Sequence, residues 1–514
     1  MKNTTLRTSG LTGRLLAALA LGVCASSASA VRLDPDGTGQ VLIYPYYTTR
    51  GGNQTVFSIT NHSDRHKALR VILAEARNGR TALELNVYLA PRDSWSSTVF
   101  YLNDSTPAAL ATGDDSCTFP GAERFAGVLV GGRPYQDLRM NDFVGSREDA
   151  GPSVKDRLRE GFIKVFEMGT LVPNTPPALA ITPAASGVPA NCGELGNGWS
   201  TYWRSNPSAH MTNPTGGLSG EAYVLNVGAG TVMSYQATAL ADFRTDPADV
   251  PAGSRSSVVL HRTAEERVDF DKALNDPATQ MAEAVVDLPN RRLNLQYAAE
   301  RAVDAVSAVL SADAVNVSYF SDHTVGATTD WVINFPTRSF YTDQARVGTE
   351  PVKPFTGLYP TSGSETSAIM RVPYGLYDRG GGNIANAPNV ASVDLRFSTQ
   401  IIALAPGQVA NDIHGRPLGS ELDVYLQSVL SGSRRDGGWI GLDLVRYRDT
   451  SGAVYTRDFR PAEDGTVMLG LPVIGFAAVN YVNNNANPGV MANYSMANPQ
   501  RRSQDCRRNT LSCK

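Results

Sequence analysis

The chain has 514 residues, of which 46 are Lys or Arg and 49 are Asp or Glu, so its formal net charge at pH 7 is −3. No run of Lys and Arg offers a binding surface for phosphates, which argues against nucleic acid as a partner. After residue 30, the sequence has no apolar run near the roughly 20 residues that a membrane-spanning helix needs, so we expect no transmembrane segment. The length is ample for more than one hydrophobic core.

Residues 1–30 have the three parts of a secretory signal peptide. A positive amino-terminal region precedes the apolar segment 15–23, which is too short to span a bilayer, and an Ala-Ser-Ala motif follows at 28–30. We expect cleavage before Val31, because the alternative lipoprotein site at Cys24 lacks the small residue that normally precedes it. The sequence therefore predicts an exported protein of a Gram-negative bacterium, located in the periplasm, on the cell surface or outside the cell. The basic residues of the leader are Lys2, Arg7 and Arg14.

Short apolar stretches separated by turn residues indicate an all-β fold. Between residues 41 and 102, five stretches rich in Val, Ile, Tyr, Phe and Thr alternate with Gly- and Asn-containing turns such as 50–53 and 78–79. A turn about every ten residues is typical of antiparallel sandwiches and barrels. Similar stretches return after residue 220 and again in the last third of the chain. We therefore predict two antiparallel β-sandwich-like units with long loops and one packing helix.

The predicted domains after the signal peptide are two β-rich regions, at 31–345 and 346–483, and a polar, basic tail at 484–514. The packing helix is predicted over residues 293–312, because its small and apolar residues recur at helical spacing and the segment is rich in helix formers. We expect partial order at best in the tail before its last cysteines, since chain ends without apolar residues are rarely fixed.

Four cysteines remain after cleavage, an even number that is typical of an exported chain: Cys117, Cys192, Cys506 and Cys513. Four cysteines allow three pairings, which the sequence alone does not decide. We favour Cys117–Cys192, which would clamp two segments dense in Pro, Asn and Gly, at 103–134 and 172–219, and Cys506–Cys513, which would close a short loop. A zinc site is the alternative, but no CxxC pair and no nearby histidine supports it.

No motif in the chain specifies a reaction. The histidines lack HExxH or another metal-ligand spacing, and no GxSxG motif supports a serine nucleophile. Asp34 and Asp36 resemble the start of a calcium loop, but the twelfth position is Pro45, which cannot bind calcium. The Gly-rich segment 377–383 lacks the Lys and Ser/Thr of a phosphate-binding loop and is interpreted as a flexible connection. We therefore predict no catalytic, cofactor-binding or metal-binding residue. The six histidines are His62, His66, His210, His261, His323 and His414.

Aromatic residues are concentrated near the first strands: Tyr44, Tyr46, Tyr47, Trp95, Phe100 and Tyr101. Aromatic rings on a sheet can stack on sugar rings or form the centre of an interface. Alternate aromatics in strands more often face the core, so core packing is the prediction for these six.

Five segments carry a resemblance to a known family: "DGTGQVLIYPYYT", "NQTVFSITN", "REGFIKVFEMGTL", "TDWVINFPTRSFYTD" and "GLPVIGFAAVNYVN". They are similar to blocks of a family of exported proteobacterial proteins described as cell-surface proteins, for which no activity is established. The blocks extend from residue 36 to about residue 483. The resemblance implies a secreted, β-rich protein, and it assigns no catalytic residue.

Three functions are compatible with these observations. The first is a non-catalytic surface or extracellular structural or interaction protein, whose partners are copies of itself or components of the cell envelope. The second is a carbohydrate-binding protein that acts through exposed Tyr and Trp. The third is a secreted glycosidase on a β scaffold, which would need two carboxyl groups facing each other across a cleft. We favour the first.

Overall fold

Strands dominate the computed structural model, and the fold is all-β. The structure describes residues 30–140, 143, 145, 148–244, 259–262, 267–273, 281–384, 391–405, 415–426, 436–448, 453–484, 486–509 and 511–513. The predicted signal peptide up to residue 29, Cys24 and His414 lie outside the described residues.

The described residues of the first half of the chain contain fifteen strands and two short helices. In chain order they are β1 (Arg32–Leu33), β2 (Val41–Thr48), β3 (Asn53–Asn61), β4 (His66–Glu75), β5 (Thr81–Leu89), β6 (Ser94–Tyr101), β7 (Ala108–Ala111), β8 (Cys117–Phe119), β9 (Gly127–Val128), β10 (Pro134–Asp137), β11 (Glu160–Leu171), α1 (Pro176–Ile181), α2 (Gly193–Thr201), β12 (Met211–Thr212), β13 (Leu218–Asn226), β14 (Thr231–Gln236) and β15 (Thr238–Ala241).

The second half has nineteen further strands and three helices among its described residues. They are β16 (Met281–Leu288), β17 (Arg291–Ala298), α3 (Ala302–Leu310), β18 (Ser311–Ala312), β19 (Ala314–Phe320), β20 (Ala327–Asn334), α4 (Ser339–Thr342), α5 (Gln344–Val347), β21 (Met370–Asp378), β22 (Ser392–Leu395), β23 (Thr399–Leu404), β24 (Asp423–Tyr425), β25 (Gly437–Asp443), β26 (Arg446–Arg448), β27 (Val454–Thr456), β28 (Val467–Met468), β29 (Leu471–Pro472), β30 (Ile474–Tyr481), β31 (Tyr494–Pro499), β32 (Arg501–Ser503), β33 (Cys506–Arg508) and β34 (Leu511–Ser512).

Two large antiparallel sheets enclose the first core. The eight-stranded sheet has the order β1-β15-β2-β11-β4-β5-β8, with β12 beside β11, and the seven-stranded sheet has the order β14-β13-β3-β6-β7-β10-β9. Leu42 and Val165 of the eight-stranded sheet share one buried cluster with Phe57 and Trp95 of the seven-stranded sheet. Strand β3 alternates buried and more exposed residues, as expected for a sheet with one face towards water.

The eight-stranded sheet is covered on its second face as well. Val41 and Phe166 belong to another buried cluster, which contains α3, the β16–β17 hairpin and Trp199 of α2. All eight residues of β2 and all twelve of β11 are buried. The sheet is therefore the central layer of this part of the molecule.

Two five-stranded sheets form most of the second half. We call β24-β23-β20-β30-β31 the inner sheet and β22-β21-β25-β19-β32 the outer sheet. Trp331 and Ile402 of the inner sheet pack in one cluster with Ile440 of the outer sheet, whereas Val332 and Phe476 on the opposite face of the inner sheet pack into the first core. The inner sheet thus joins the two halves.

Both sheets combine strands from before and after the predicted domain boundary at 345/346, since β20 pairs with β23 and β30, and β19 pairs with β25 and β32. The boundary and the number of sandwich units stay predictions. Within the described part of the chain, none of the five helices is long and apolar enough to cross a membrane.

The predicted helix over residues 293–312 is wrong in its first third. Residues 291–298 form β17, residues 299–301 form a 3-10 turn, and only Ala302–Leu310 are α-helical. Leu293, Leu295 and Tyr297 alternate with polar residues, which is the period of two that is typical of a strand. The segment pairs with β16 along its whole length. The alanines later in the segment have helical spacing, and the prediction wrongly extended the helix from them towards the amino terminus. The prediction of a single packing helix is likewise wrong, since α1 and α2 lie in the loop-rich segment 172–219.

The tail is more regular than predicted. Strand β31 pairs with β30 of the inner sheet, and β32 pairs with β19 of the outer sheet. All residues of these two strands are at least partly exposed, and backbone hydrogen bonds to existing sheet edges fix them more than apolar burial does. The expectation of partial order in this segment is therefore wrong.

A buried ion pair connects β4 and β11 to the segment that precedes β13. The Nζ atom of Lys67 donates to Glu167 Oε1 at 2.7 Å and to the Gly216 carbonyl oxygen at 2.7 Å, and both charged side chains are 0% exposed. Glu167 also accepts from the backbone N–H groups of Thr215 and Gly216 at 2.9 and 2.7 Å. Every strong donor of this pair has an internal partner, as buried charges require.

Replacement of Lys67 by methionine should lower the free energy of unfolding by about 3–5 kcal/mol, because it leaves the Glu167 carboxylate buried without its cation. The double variant Lys67→Met/Glu167→Gln should recover part of that loss. Urea denaturation at pH 7 measures both values. The control is Arg292→Met, which breaks an exposed pair with Asp287 and should have no measurable effect. Equal stability of Lys67→Met and the control would contradict this role.

Candidate functional site

The four cysteines predicted as site residues lie in two pairs. Cys117 and Cys192 form a disulfide with a Cα–Cα distance of 5.2 Å, and Cys506 and Cys513 form another at 5.0 Å. This is the pairing favoured from the sequence. The first disulfide links β8 at the edge of the eight-stranded sheet to the start of α2, and the second closes the β33–β34 hairpin.

His261 lies in an aromatic cluster next to the first disulfide. Its ring stacks on Trp199, with 4.6 Å between centroids, and meets the rings of Trp203 and Tyr88 edge to face. Nδ1 donates to the Pro207 carbonyl oxygen at 3.0 Å, which leaves Nε2 to accept from the Tyr88 hydroxyl at 2.9 Å. Burial lowers the pKa of His261 to about 3. This histidine is a neutral core residue.

The other residues weighed from the sequence have local structural roles. Asp34 Oδ1 accepts from the backbone N–H groups of Asp36 and Thr38, so the segment is a turn that leads towards β2. His62 is bonded to Ser219 and His66 to Thr182. Over the described residues, no three His, Cys, Asp or Glu side chains are grouped so that they could hold a metal ion.

Five of the six aromatic residues near the first strands pack in the core, as predicted. Tyr44, Tyr46, Tyr47 and Trp95 are 0% exposed, Phe100 is 8% exposed, and Tyr101 is half-buried beneath the Arg159 guanidinium, whose Cζ lies 4.5 Å from the ring centroid. Tyr101 therefore lies outside the core, and more exposed aromatic residues, such as Trp439, lie in other strands.

A groove of about 620 Å³ crosses the outer face of the outer sheet, and we call it the aromatic groove. Its side wall is the ring pair of Tyr377 in β21 and Trp439 in β25, which are directly paired in register and stack with 4.0 Å between centroids at 11°. Trp439 is 42% exposed. The opposite wall is the β26–β27 hairpin with Tyr447 and Val454.

Two glycines form the floor of the aromatic groove. Gly375 and Gly441 are opposite each other in adjacent strands, two residues from the two rings and on the same face. A Cβ at Gly375 would lie 2.8 Å from Tyr377 Cε2, and one at Gly441 would lie 3.1 Å from Trp439 Cζ3. The rings therefore occupy the space that side chains would fill and cover these two glycines, which remain partly exposed in the groove.

Polar groups line the rest of the groove. Asp443 accepts from the backbone N–H groups of Val445 and Arg446 at 3.0 Å and from Arg446 Nε at 2.5 Å, which fixes the turn into the hairpin. Asn316 of β19, the strand on the other side of β25 from β21, also lines the groove. Beneath the hairpin, the guanidinium of Arg457 lies 4.6 Å from the Tyr447 ring centroid, and burial lowers the pKa of Arg457 to about 10.

The sequence analysis missed this groove, although a signal was present. "GLY" at 375–377 and "WIG" at 439–441 each place a glycine two residues from an aromatic ring. In a strand these residues share one face, and an aromatic side chain next to a glycine on a sheet surface covers it. Segment 377–383 was interpreted as a flexible connection, but Tyr377 belongs to β21, and the Asp378 carboxylate holds the following turn through Gly380 and Gly382.

A second, polar cleft of about 750 Å³ lies between the eight-stranded sheet and the segment 339–352. Two of its carboxylates are each bonded to a buried cation: Glu84 to Arg70 at 2.7 Å, and Asp269 to Lys164 at 2.8 Å. Burial, the largest effect, raises the pKa of Glu84, and Arg70 partly opposes that shift. The charges in this cleft are largely matched within the protein.

Comparison of the chain with protein-family models, curated proteins and solved structures found no match. The resemblance to exported cell-surface proteins therefore stays a prediction, and the functional argument depends on the geometry of this chain alone.

Protonation of His261 should destabilise the fold in mild acid. Its pKa is about 3 when folded and about 6.5 when unfolded, so the unfolded chain binds more protons between these values. The stabilisation is fully present above pH 6.5 and is lost as the pH falls towards 3. Between pH 7 and 5 we expect His261 to account for a loss of about 2 kcal/mol in the free energy of unfolding.

Urea denaturation of the wild type and His261→Gln at both pH values measures this contribution. The variant should be less stable at pH 7 and should lose less stability on acidification. His62→Gln, at an exposed position, is the control and should keep the wild-type difference. An unchanged pH difference in His261→Gln would contradict the assignment of a neutral buried ring.

Proposed function

We propose that the protein is a non-catalytic exported protein that binds partner molecules at the cell surface or outside the cell. Residues 1–30 support export through their signal-peptide pattern. The two disulfides agree with a location in an oxidising compartment, because such bonds are rare in the cytosol.

The observation that carries the binding role is the contrast between buried charges and exposed rings. Many of the buried charged side chains form internal ion pairs, such as Lys67–Glu167 and Arg157 with Glu75 and Asp149. The aromatic groove instead presents the stacked ring pair of Tyr377 and Trp439 to water. Ligand sites commonly combine an apolar surface with a few placed polar groups. The groove has that composition.

A glycosidase is the second candidate, because the polar cleft contains two carboxylates of different surroundings. Glu84 has a raised pKa, as a general acid requires, and Asp269 is held as an ion pair by Lys164. Against catalysis, Glu84 is itself bonded to Arg70, which is 0% exposed and lies on β4. The pairing of both carboxylates with cations favours a structural role.

We expect the purified chain to release no reducing sugar from soluble xylan, carboxymethylcellulose or peptidoglycan fragments. Glu84→Gln and Asp269→Asn should therefore be as inactive as the wild type. Hydrolysis by the wild type that disappears in both variants, with folding intact by circular dichroism, would replace the non-catalytic proposal with the glycosidase.

Export is tested by expressing the full chain in a Gram-negative host. The mature protein should begin at Val31 by amino-terminal mass spectrometry and should fractionate outside the cytoplasm. Leu16→Arg/Leu19→Arg, which interrupts the apolar segment of the leader, is the control and should keep the precursor in the cytoplasm. Added protease should degrade the protein on intact cells. Protection from protease would contradict surface exposure, and an uncleaved cytoplasmic wild type would contradict export.

A further inference from the structure

We infer that the aromatic groove binds a glycan, with a pyranose ring stacked against Trp439 and its hydroxyl groups bonded to the polar residues of the groove. This inference depends on the proposed binding function and specifies its ligand class. The observation behind it is the combination of an exposed, fixed ring pair with a glycine floor on one sheet face.

The ring pair is preorganised for stacking. Tyr377 and Trp439 support each other at 4.0 Å between centroids, and their strands are held by the register that also places Leu376 and Ile440 in the core beneath. A ligand that stacks on Trp439 therefore orders little of the protein, and rigid binding groups lower the entropic cost of association. Aromatic faces carry partial negative charge, which attracts the polarised C–H groups of a sugar ring.

The two glycines leave room for the ring pair on the sheet surface. Because Gly375 and Gly441 have no side chains, the rings of Tyr377 and Trp439 lie over them, and no side chain at either position separates the rings from the rest of the groove. A flat molecule with one C–H face and polar edges fits this shape. Sugar rings have such faces, and their hydroxyl groups lie around the rim.

The polar lining matches hydroxyl groups better than it matches charged ligands. The Asn316 amide can both donate and accept, and Asp443 can accept while it holds Arg446. The carboxylate and guanidinium of this pair balance each other, so the groove provides no net positive charge for a phosphate-rich ligand. Its open shape and charged rim also disfavour a lipid chain.

A protein partner is the less favoured occupant of this surface. Peptides that add to sheets usually bind at strand edges, where backbone groups are unpaired. The groove instead crosses β21, β25 and β19, which are interior strands of the outer sheet. Outside the cytoplasm, an exported chain meets polysaccharides, which have the chemistry that the aromatic groove fits.

The test uses the full mature chain, residues 31–514, with an immobilised glycan array and with insoluble cellulose, chitin and peptidoglycan sacculi in sedimentation assays. The wild type should bind at least one of these glycans. Trp439→Ala, which removes the stacking ring, and Gly441→Val, which places a side chain where the Trp439 ring lies, should each weaken binding at least tenfold. Asn316→Ala should weaken it several-fold.

Tyr494→Ala is the matched control, because Tyr494 is 65% exposed on β31 and does not line the groove. It should bind like the wild type. Thermal unfolding verifies that each variant folds. Trp439→Ala removes a partly exposed side chain and should fold, so it tests the inference even if Gly441→Val does not fold.

Absence of binding to every glycan, or wild-type binding by Trp439→Ala, would overturn the inference. Neither result affects the measurements of leader cleavage and protease exposure, which test export separately. A cytoplasmic precursor in the export experiment would instead refute the proposed function, whatever the array shows.

Discussion

Strand β11 is buried on both faces, so none of its charged side chains is exposed to water. Its twelve residues are buried, yet it contains Glu160, Lys164 and Glu167. Each of them needs an internal partner, since an unpaired charge in the interior is far more costly than a lost surface contact. The rest of the molecule supplies those partners from distant segments.

The partners of β11 connect the layers of the fold. Lys67 and the backbone at Thr215 and Gly216 satisfy Glu167, and Asp269 satisfies Lys164. Glu160 accepts from the Tyr46 hydroxyl and from Ser420 in the second half of the chain, at 2.9 and 2.6 Å. The central strand thereby specifies how loops and sheets from both halves are placed against it.

The local sequence pattern predicted many of the strands but not how the sheets stack in layers. The stretches rich in β-branched and aromatic residues became strands because pairing and burial both favour them there. Glu160 and Lys164 fall on one side of the alternating strand pattern and Glu167 on the other, and only tertiary partners make the burial of all three possible. The helix predicted from residue 293 was wrong for a similar reason, because pairing with β16 decided the structure of 291–298. The aromatic groove depends on Tyr377 and Trp439 meeting across strands more than 60 positions apart, and no local signal encodes that pairing.

The placement of β31 and β32 has a consequence for the order of assembly. These two strands, only one residue apart, complete an edge of the inner sheet and an edge of the outer sheet. During synthesis or passage through a translocation channel, β32 emerges long after β19, whereas β31 follows β30 after only a short loop. The outer sheet must therefore wait, with the edge at β19 open, until residues 501–503 arrive. A chain delivered outside the cytoplasm in an unfolded form would complete this sheet only after nearly all of its residues had been released.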